Sequence, residues 1–329
     1  APIPAPAPKP AIGAFGFDVS GMDTSARPGD DFYRYANGAW AARTQIPVDR
    51  ARYGAFDALR EKAERDVRAI IEEVAAQGGE PGTNARKVGD FYRSFMDEAA
   101  INARGLTPLG PDLAEIDAVT TRAGLVRYFG HAMLDDIRLP FGLFVDQDMK
   151  QPDRYAVYLT QSGLGMPDRD YYLEASFADA RKAYVAHIAA MLALAGFDQA
   201  DARAARVFDL ETRIARAHWS KVENRDDEKT YNPMTLAALQ RLARGVDWPA
   251  LLDAAEVGHQ DRYVVRQPSA FASLARLVAT TPLAVWRDYL RFHLLSSAAD
   301  VLPAPFVTED FADLAIHSDV PTTVLMRTV

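Results

Sequence analysis

The sequence holds six histidines: His131, His187, His218, His259, His293 and His317. A helix-borne zinc site of the H-E-x-x-H kind needs two imidazoles four residues apart, with a Glu beside the first to activate the metal-bound water. No two of these histidines are four apart, and none is followed by Glu. Only an assembly of distant residues would leave a metal site open, so no catalytic residue and no metal ligand are assigned in this chain. There is no cysteine, which removes disulfides, thiol nucleophiles and thiolate-bound zinc together. The sequence also lacks a G-x-S-x-G elbow, a G-x-x-x-x-G-K-[ST] phosphate loop and a G-x-G-x-x-G dinucleotide turn.

Arg52, Asp57 and Arg60 fall at and just before a predicted helix start. Gly54 allows Arg52 to sit on a turn before a helix, and Arg60 projects from the second turn of that helix. From spacing alone these arginines read as surface charges pairing with Asp57 or Glu64, and exposed pairs of this kind are weak. Asp30 and Asp31 read as helix caps, because no third hard ligand stands nearby for a metal. Tyr33, Tyr35 and Trp40, at near-helical spacing, read as core packing. Asp168, Arg169 and Asp170 read as an ion-pair and turn element. Tyr231-Asn-Pro-Met234 reads as a loop leading into a Pro-started helix, and His218, beside Trp219, as a packed, hydrogen-bonded histidine.

The elements that must position these residues are mainly helical. Residues 30–38 combine an acidic helix start, an aromatic face and a glycine, Gly38, near the stop. Phe56, Leu59, Val67, Ile70, Ile71 and Val74 recur at helical spacing, which predicts a long amphipathic helix over residues 56–76. The cluster Gly78, Gly79, Pro81 and Gly82 ends it. A second helix is expected through Val88, Phe91, Phe95 and Met96. The period changes over residues 139–164, where Phe141–Val145 and Tyr155–Leu159 read as a β-hairpin. Helices resume near Ser176 and continue through Leu192, Phe208, Leu236, Leu251, Phe271 and Leu290. No repeat of fixed period supports a solenoid.

The 329 residues carry 37 Lys and Arg against 45 Asp and Glu, a net charge of −8. With no Lys/Arg-rich run, nucleic acid is not an expected partner. The hydrophobic fraction of 49% is that of an ordinary globular protein. No apolar window approaches the ~18 residues that a membrane-spanning helix requires, so a soluble chain with no membrane span is expected. Residues 1–10 alternate Pro with small residues and lack an initiator Met. That pattern is expected of an extended tether left by signal-peptide cleavage, with export to a bacterial periplasm or cell surface.

Five stretches carry a resemblance. They are Pro28–Trp40 (PGDDFYRYANGAW), Arg52–Arg60 (RYGAFDALR), Gln161–Leu173 (QSGLGMPDRDYYL), Arg225–Leu236 (RDDEKTYNPMTL), and Tyr289–Leu295 (YLRFHLL) followed by Leu302–Phe306 (LPAPF). In this order they resemble the N-terminal region of the neprilysin-type zinc metallopeptidases, which include the endothelin-converting enzymes. The likeness covers roughly residues 18–314. It implies two mainly helical lobes around a large cavity, with a thermolysin-like zinc domain in the C-terminal part and a helical cap in the N-terminal part. The expected class is therefore mostly α, a large helical cap domain with a small β-hairpin, incomplete relative to the two-lobed fold.

The domains expected are a tether over 1–17, a segment bordering the catalytic cleft over 18–75, a helical cap over 76–314 and a divergent tail over 315–329. The tail is expected to mark a truncated or frameshifted reading. The resemblance also implies that Arg52 and Arg60 face the cleft and receive the substrate's C-terminal carboxylate, with Asp57 orienting the first. A guanidinium fork matches a carboxylate with two parallel hydrogen bonds, which Lys does not reproduce. The function expected is the N-terminal part of an exported zinc metalloendopeptidase that cleaves small peptides, with no cofactor in this chain and zinc in the missing catalytic domain. Alone, the chain is expected to be inactive. The alternative is a non-catalytic helical module that binds peptides or regulates a partner.

Overall fold

A computed structural model describes residues 18–47, 50, 52–135 and 137–317. Residues 1–17 of the expected tether and 318–329 of the expected tail lie outside the described residues. The chain divides into two compact units, the break falling between Gly78 and Gly79.

The first unit holds α1 (Phe32–Arg43) and α2 (Ala55–Gln77). Asp31 caps α1, its carboxylate accepting from the Arg34 N–H at 2.8 Å. Gly38 does not stop the helix as expected but lies within it. A Cβ there would stand 2.6 Å from the Cβ of Asp23, so the glycine serves close packing. The neighbouring turn is held by polar contacts, with Arg34 Nε on Asp23 at 2.9 Å and Arg43 on the Ser20 carbonyl at 3.0 Å. The expected core packing of the α1 aromatics is not found. Tyr33 is 68% exposed, and Tyr35 and Trp40 are only half-buried.

The long α2 matches the predicted amphipathic helix. It begins with Asp57 accepting from the Gly54 N–H at 2.9 Å and ends at Gly78, whose φ of +68° suits glycine. None of its residues is buried, and Phe56, Leu59, Val67 and Ile70 stand exposed on its surface.

The second unit contains the core. Its first half runs through α3 (Asn84–Met96), α4 (Glu98–Arg104), α5 (Gly110–Asp117), α6 (Arg122–Ala132), the strands β1 (Phe141–Asp148) and β2 (Gln151–Gln161), α7 (Arg169–Leu173) and α8 (Ala178–Leu194). Its second half runs through α9 (Ala200–Ala217), α10 (Lys221–Asn224), β3 (Pro233–Met234), α11 (Leu236–Leu242), α12 (Trp248–Ala254), β4 (Tyr263–Val265), α13 (Pro268–Thr280), α14 (Leu283–Ser297) and α15 (Ala304–His317).

The predicted hairpin is present, antiparallel from the Phe141–Gln161 pair to the turn. It belongs to a four-stranded sheet in the order β1-β2-β4-β3, with β4 parallel to β2 and antiparallel to β3. The chain is thus mostly helical with one small sheet, and the β-hairpin is half of that sheet. Pro233 and Met234 form an edge strand instead of the expected helix start. Edge strands tolerate Pro because its missing N–H faces away from the ladder. The helix that follows begins at Leu236, capped by Thr235.

Helix α9 is representative of the core, burying Ala204, Val207, Leu210, Ile214 and Ala215 along one stripe. Trp248, Trp286, Tyr184, Tyr289, Phe129 and Phe271 are almost wholly buried around it. No single helix among the described residues is long and apolar enough to cross a membrane.

Candidate functional site

The three residues singled out from the sequence fall at the start of α2, within the first unit. Asp57 is held by its own helix: one oxygen accepts from Gly54, and the other lies 3.5 Å from Arg60 and 4.0 Å from Arg50. Arg60 also stands 3.6 Å from Glu64. Arg52 is exposed and takes part in no hydrogen bond or ion pair among the described residues. The structure therefore brings Arg60 and Asp57 together and leaves Arg52 apart from them.

Sequence reasoning missed Arg50, which is the better-anchored arginine of the group. It lies 3.1 Å from Glu61 and stacks over Tyr53, whose hydroxyl donates to Glu61 at 2.9 Å. That hydrogen bond raises the Tyr53 phenol above its ordinary range. A signal was present in sequence, since Arg50, Tyr53, Asp57 and Glu61 run at spacings of three and four. The chemistry this arrangement offers is a pair of exposed guanidiniums, Arg52 and Arg60, beside a network that fixes the helix start.

A second polar site lies in the second unit, where the loop from Gln161 to Arg169 is pinned from several sides. Beneath it, Glu211 of α9 is fully buried and accepts from Tyr172 at 2.5 Å, Tyr184 at 2.9 Å, His293 at 2.9 Å and the Gly165 N–H at 3.3 Å. Burial pushes the two tyrosines well above their usual range, and the adjacent Glu211 charge adds to the effect. Burial also lowers the His293 imidazole, against the opposing pull of Glu211.

The loop's carbonyls are taken as well. Tyr289 donates to Gly163 at 3.0 Å, and Arg138 donates to Leu164 and Gly165 at 2.8 and 3.0 Å. The two glycines are obligatory here. Gly163 has φ +97°, and a Cβ on Gly165 would stand 1.7 Å from the Tyr184 hydroxyl. His218 Nε2 meets the Ser162 carbonyl at 3.1 Å, and burial brings this imidazole down to about 4.

Asp168 caps α7, accepting from the Asp170 N–H at 2.7 Å, and pairs with Lys221. Arg169 donates to the His218 carbonyl at 2.9 Å. The loop, with Arg138, Trp219, Lys221 and Arg266, lines an open polar cavity of about 410 Å³. The sequence reading takes Asp168, Arg169 and Asp170 as a turn and ion-pair element, and Gln161–Leu173 as a stretch that carries the resemblance; it does not show the cavity.

Neither place supplies a zinc site. His131 and His187 each sit beside a single carboxylate, Glu115 at 3.3 Å and Glu309 at 3.2 Å. His293 is engaged by Glu211, and His218 by a carbonyl. Among the described residues no three His, Asp or Glu side chains gather as a metal would need. The residues described here do not fit a zinc ion.

The second unit is mostly helical with one small mixed sheet, and its glycine loop is pinned on a buried carboxylate. The chain belongs to Peptidase family M13, whose N-terminal-region model it matches over residues 28–319. It is similar to human endothelin-converting enzyme-like 1, at 30% identity over 88% of this chain and 40% of that protein. It is also similar to human endothelin-converting enzyme 1, at 25% identity over 94% of this chain and 42% of that protein. Among solved structures it resembles the Mycobacterium tuberculosis zinc metalloprotease Zmp1 in complex with inhibitor, at 37% identity and TM-score 0.80. That match covers 91% of this chain and 46% of that one. The open state of Zmp1 gives a TM-score of 0.81 at 35% identity. PepO from Lactobacillus rhamnosis, at 19% identity and TM-score 0.70, shares the fold. The chain thus spans less than half the length of the relatives it matches.

Proposed function

We propose that this chain is the N-terminal part of an exported zinc metalloendopeptidase acting on short peptides, whose zinc-bearing catalytic domain lies outside this sequence. The observation that carries the reading is the match to Peptidase family M13 along most of the chain, against less than half of each zinc metalloprotease or converting enzyme compared. The exposed apolar residues at the start of the chain support it. Phe56 is 89% exposed and Phe91 75%, as expected of helices that meet further polypeptide. Export rests on the composition of residues 1–10. In the whole enzyme Arg52 and Arg60 receive the carboxylate at the substrate's C-terminus, and Asp57 holds Arg60 in place. Arg52 suits this role because no carboxylate of the described residues already occupies it.

The test is the intact mass and C-terminal peptide map of the protein as its source cell makes it, followed by assay of that product. A longer polypeptide containing H-E-x-x-H and showing chelator-sensitive peptide cleavage is expected. In it, Arg52→Ala or Arg60→Ala should lower kcat/KM by roughly 10–100-fold for peptides with a free C-terminal carboxylate, the loss of one or two charged hydrogen bonds. Amidated peptides should be little affected. A product that ends at Val329 and binds peptides without cutting them would replace this reading with a non-catalytic binding or regulatory module. Equal losses on free and amidated peptides would remove the carboxylate role.

A further inference from the structure

We propose that the polar cavity beside the Gln161–Arg169 loop binds a molecule carrying two or more carboxylate groups. Four cations line the cavity, Arg138, Arg169, Lys221 and Arg266, against one acid, Asp168. His218, also in the wall, is neutral at pH 7 because burial disfavours its charged form. The lining therefore sums to +3 in a chain whose net charge is −8.

Within the cavity wall only Asp168 opposes that charge. The Asp168 carboxylate is already occupied by the α7 cap and by Lys221. Arg138 and Arg169 donate to backbone carbonyls, which satisfy hydrogen bonds but leave the positive charge in place. Arg266 lies over the Phe144 ring, 5.9 Å from its centre. Among the described residues none of these three arginines forms an ion pair with a carboxylate. Arg169 Nε is buried with no acceptor among the described residues. Glu223, close enough to feel Arg169, is committed to the Ser220 cap. Glu211 lies under the floor, where it accepts from Tyr172, Tyr184, His293 and the Gly165 N–H and pairs with no lining arginine. Cations gathered in a concave, partly desolvated site focus a positive potential on whatever enters it.

Size and shape select the class of ligand. A volume of about 410 Å³ far exceeds a lone inorganic ion and suits a small organic molecule or a short peptide segment. The neutral amides of the wall are spent on one another. Gln161 binds both backbone groups of Trp219, and Gln267 binds Asn224 and the Gln161 N–H. Recognition is left to the cations, whose planar guanidiniums match carboxylates. The pinned loop keeps the site formed before binding, which lowers the ordering cost. The carboxylates could belong to a free polycarboxylic acid or to neighbouring acidic side chains of a peptide. The site shares no residue with the α2 arginines and does not rest on the function proposed for them.

The test is calorimetric titration of the protein with citrate and, separately, with acetylated tri-glutamate amide, using acetylated tri-glutamine amide as the uncharged control. Saturable binding of citrate, of tri-glutamate or of both, weakening as salt is raised, is expected. The first result alone assigns a small acid, and the second alone an acidic peptide. Arg266→Gln should weaken binding at least tenfold, because its side chain makes no hydrogen bond that the fold needs. Arg169→Gln should do the same in protein whose thermal midpoint is retained. Arg276→Gln, on the exposed face of α13, should leave affinity unchanged. Absence of saturable binding to either anion overturns the proposal. So does equal affinity for the uncharged peptide, or wild-type affinity in Arg266→Gln.

Discussion

At Glu211 four donors converge on one carboxylate that has no access to water, and three of them come from side chains on three different helices. Removing the acceptor would leave two phenols, an imidazole and a backbone N–H unsatisfied in the core. Glu211→Ala is therefore expected to lose about 3–5 kcal/mol, read from urea unfolding. A loss below 1 kcal/mol would show that water replaces the carboxylate. His218 makes a pH-dependent contribution of known sign. Burial is the main cause of its depression from 6.5 to about 4, the Ser162 carbonyl opposes it, and the Arg169 charge adds to it. The folded state refuses a proton that the unfolded chain accepts below 6.5. Its contribution is thus complete above pH 6.5 and is lost as pH falls toward 4, by up to roughly 3 kcal/mol. The His218→Gln variant should show a shallower decline of stability than the parent across that window. Parallel curves would sink the assignment. None of this was legible in sequence beyond the reading of His218 as packed, because Glu211, Tyr172, Tyr184 and His293 share no local spacing.

At the scale of elements, the packing of α6 on α12 depends on one missing side chain. A Cβ on Gly130 would lie 2.3 Å from the Leu251 carbonyl and 2.6 Å from the Ala254 Cβ. Gly130→Ala must push the two helices apart, at a cost of about 1–3 kcal/mol or more. Gly110 is the contrast: it sits in the first turn of α5 at helical angles, with nothing within 4 Å of an added Cβ. Gly110→Ala should stabilise by about 0.4–1 kcal/mol, through the unfolded chain. Thermal melts of the two variants should shift in opposite directions. Local pattern was enough to find α2, α3 and the β1–β2 hairpin, since each satisfies its own periodicity. It did not find β3 and β4, of two and three residues, because strands that short carry no period and exist only through pairing with a distant partner. It also misplaced Gly38 as a stop, because a glycine required by a neighbouring side chain looks the same in sequence as a glycine that ends a helix.

For the whole molecule, the contrast between the two units has a practical consequence. The second unit holds the buried apolar core, whereas α2 buries none of its residues and leaves Phe56, Leu59, Val67 and Ile70 in solvent. Such a stripe favours self-association. Replacing Phe56 and Val67 together by Ser should raise the concentration at which light scattering appears. Stability should change by less than about 0.5 kcal/mol per site, since neither side chain is buried. A large loss of stability instead would mean that α2 is packed within the monomer in solution.

By itself the sequence determined the helical class, the hairpin, the Asp31 cap (Asp30 beside it caps no helix among the described residues and lies near Arg27) and, through five ordered stretches, the family. Each of these is written in residues close along the chain, where spacing converts directly into a face, a cap or a turn. Only the tertiary structure decided that Arg52 stands without a partner among the described residues and that α1 has no aromatic core. It likewise decided that a motif of turn residues stands over a buried carboxylate and walls a cationic cavity. Charge balance and burial are sums over neighbours brought from far along the chain, as Arg138, Glu211 and Arg266 are, and no local spacing encodes such a sum.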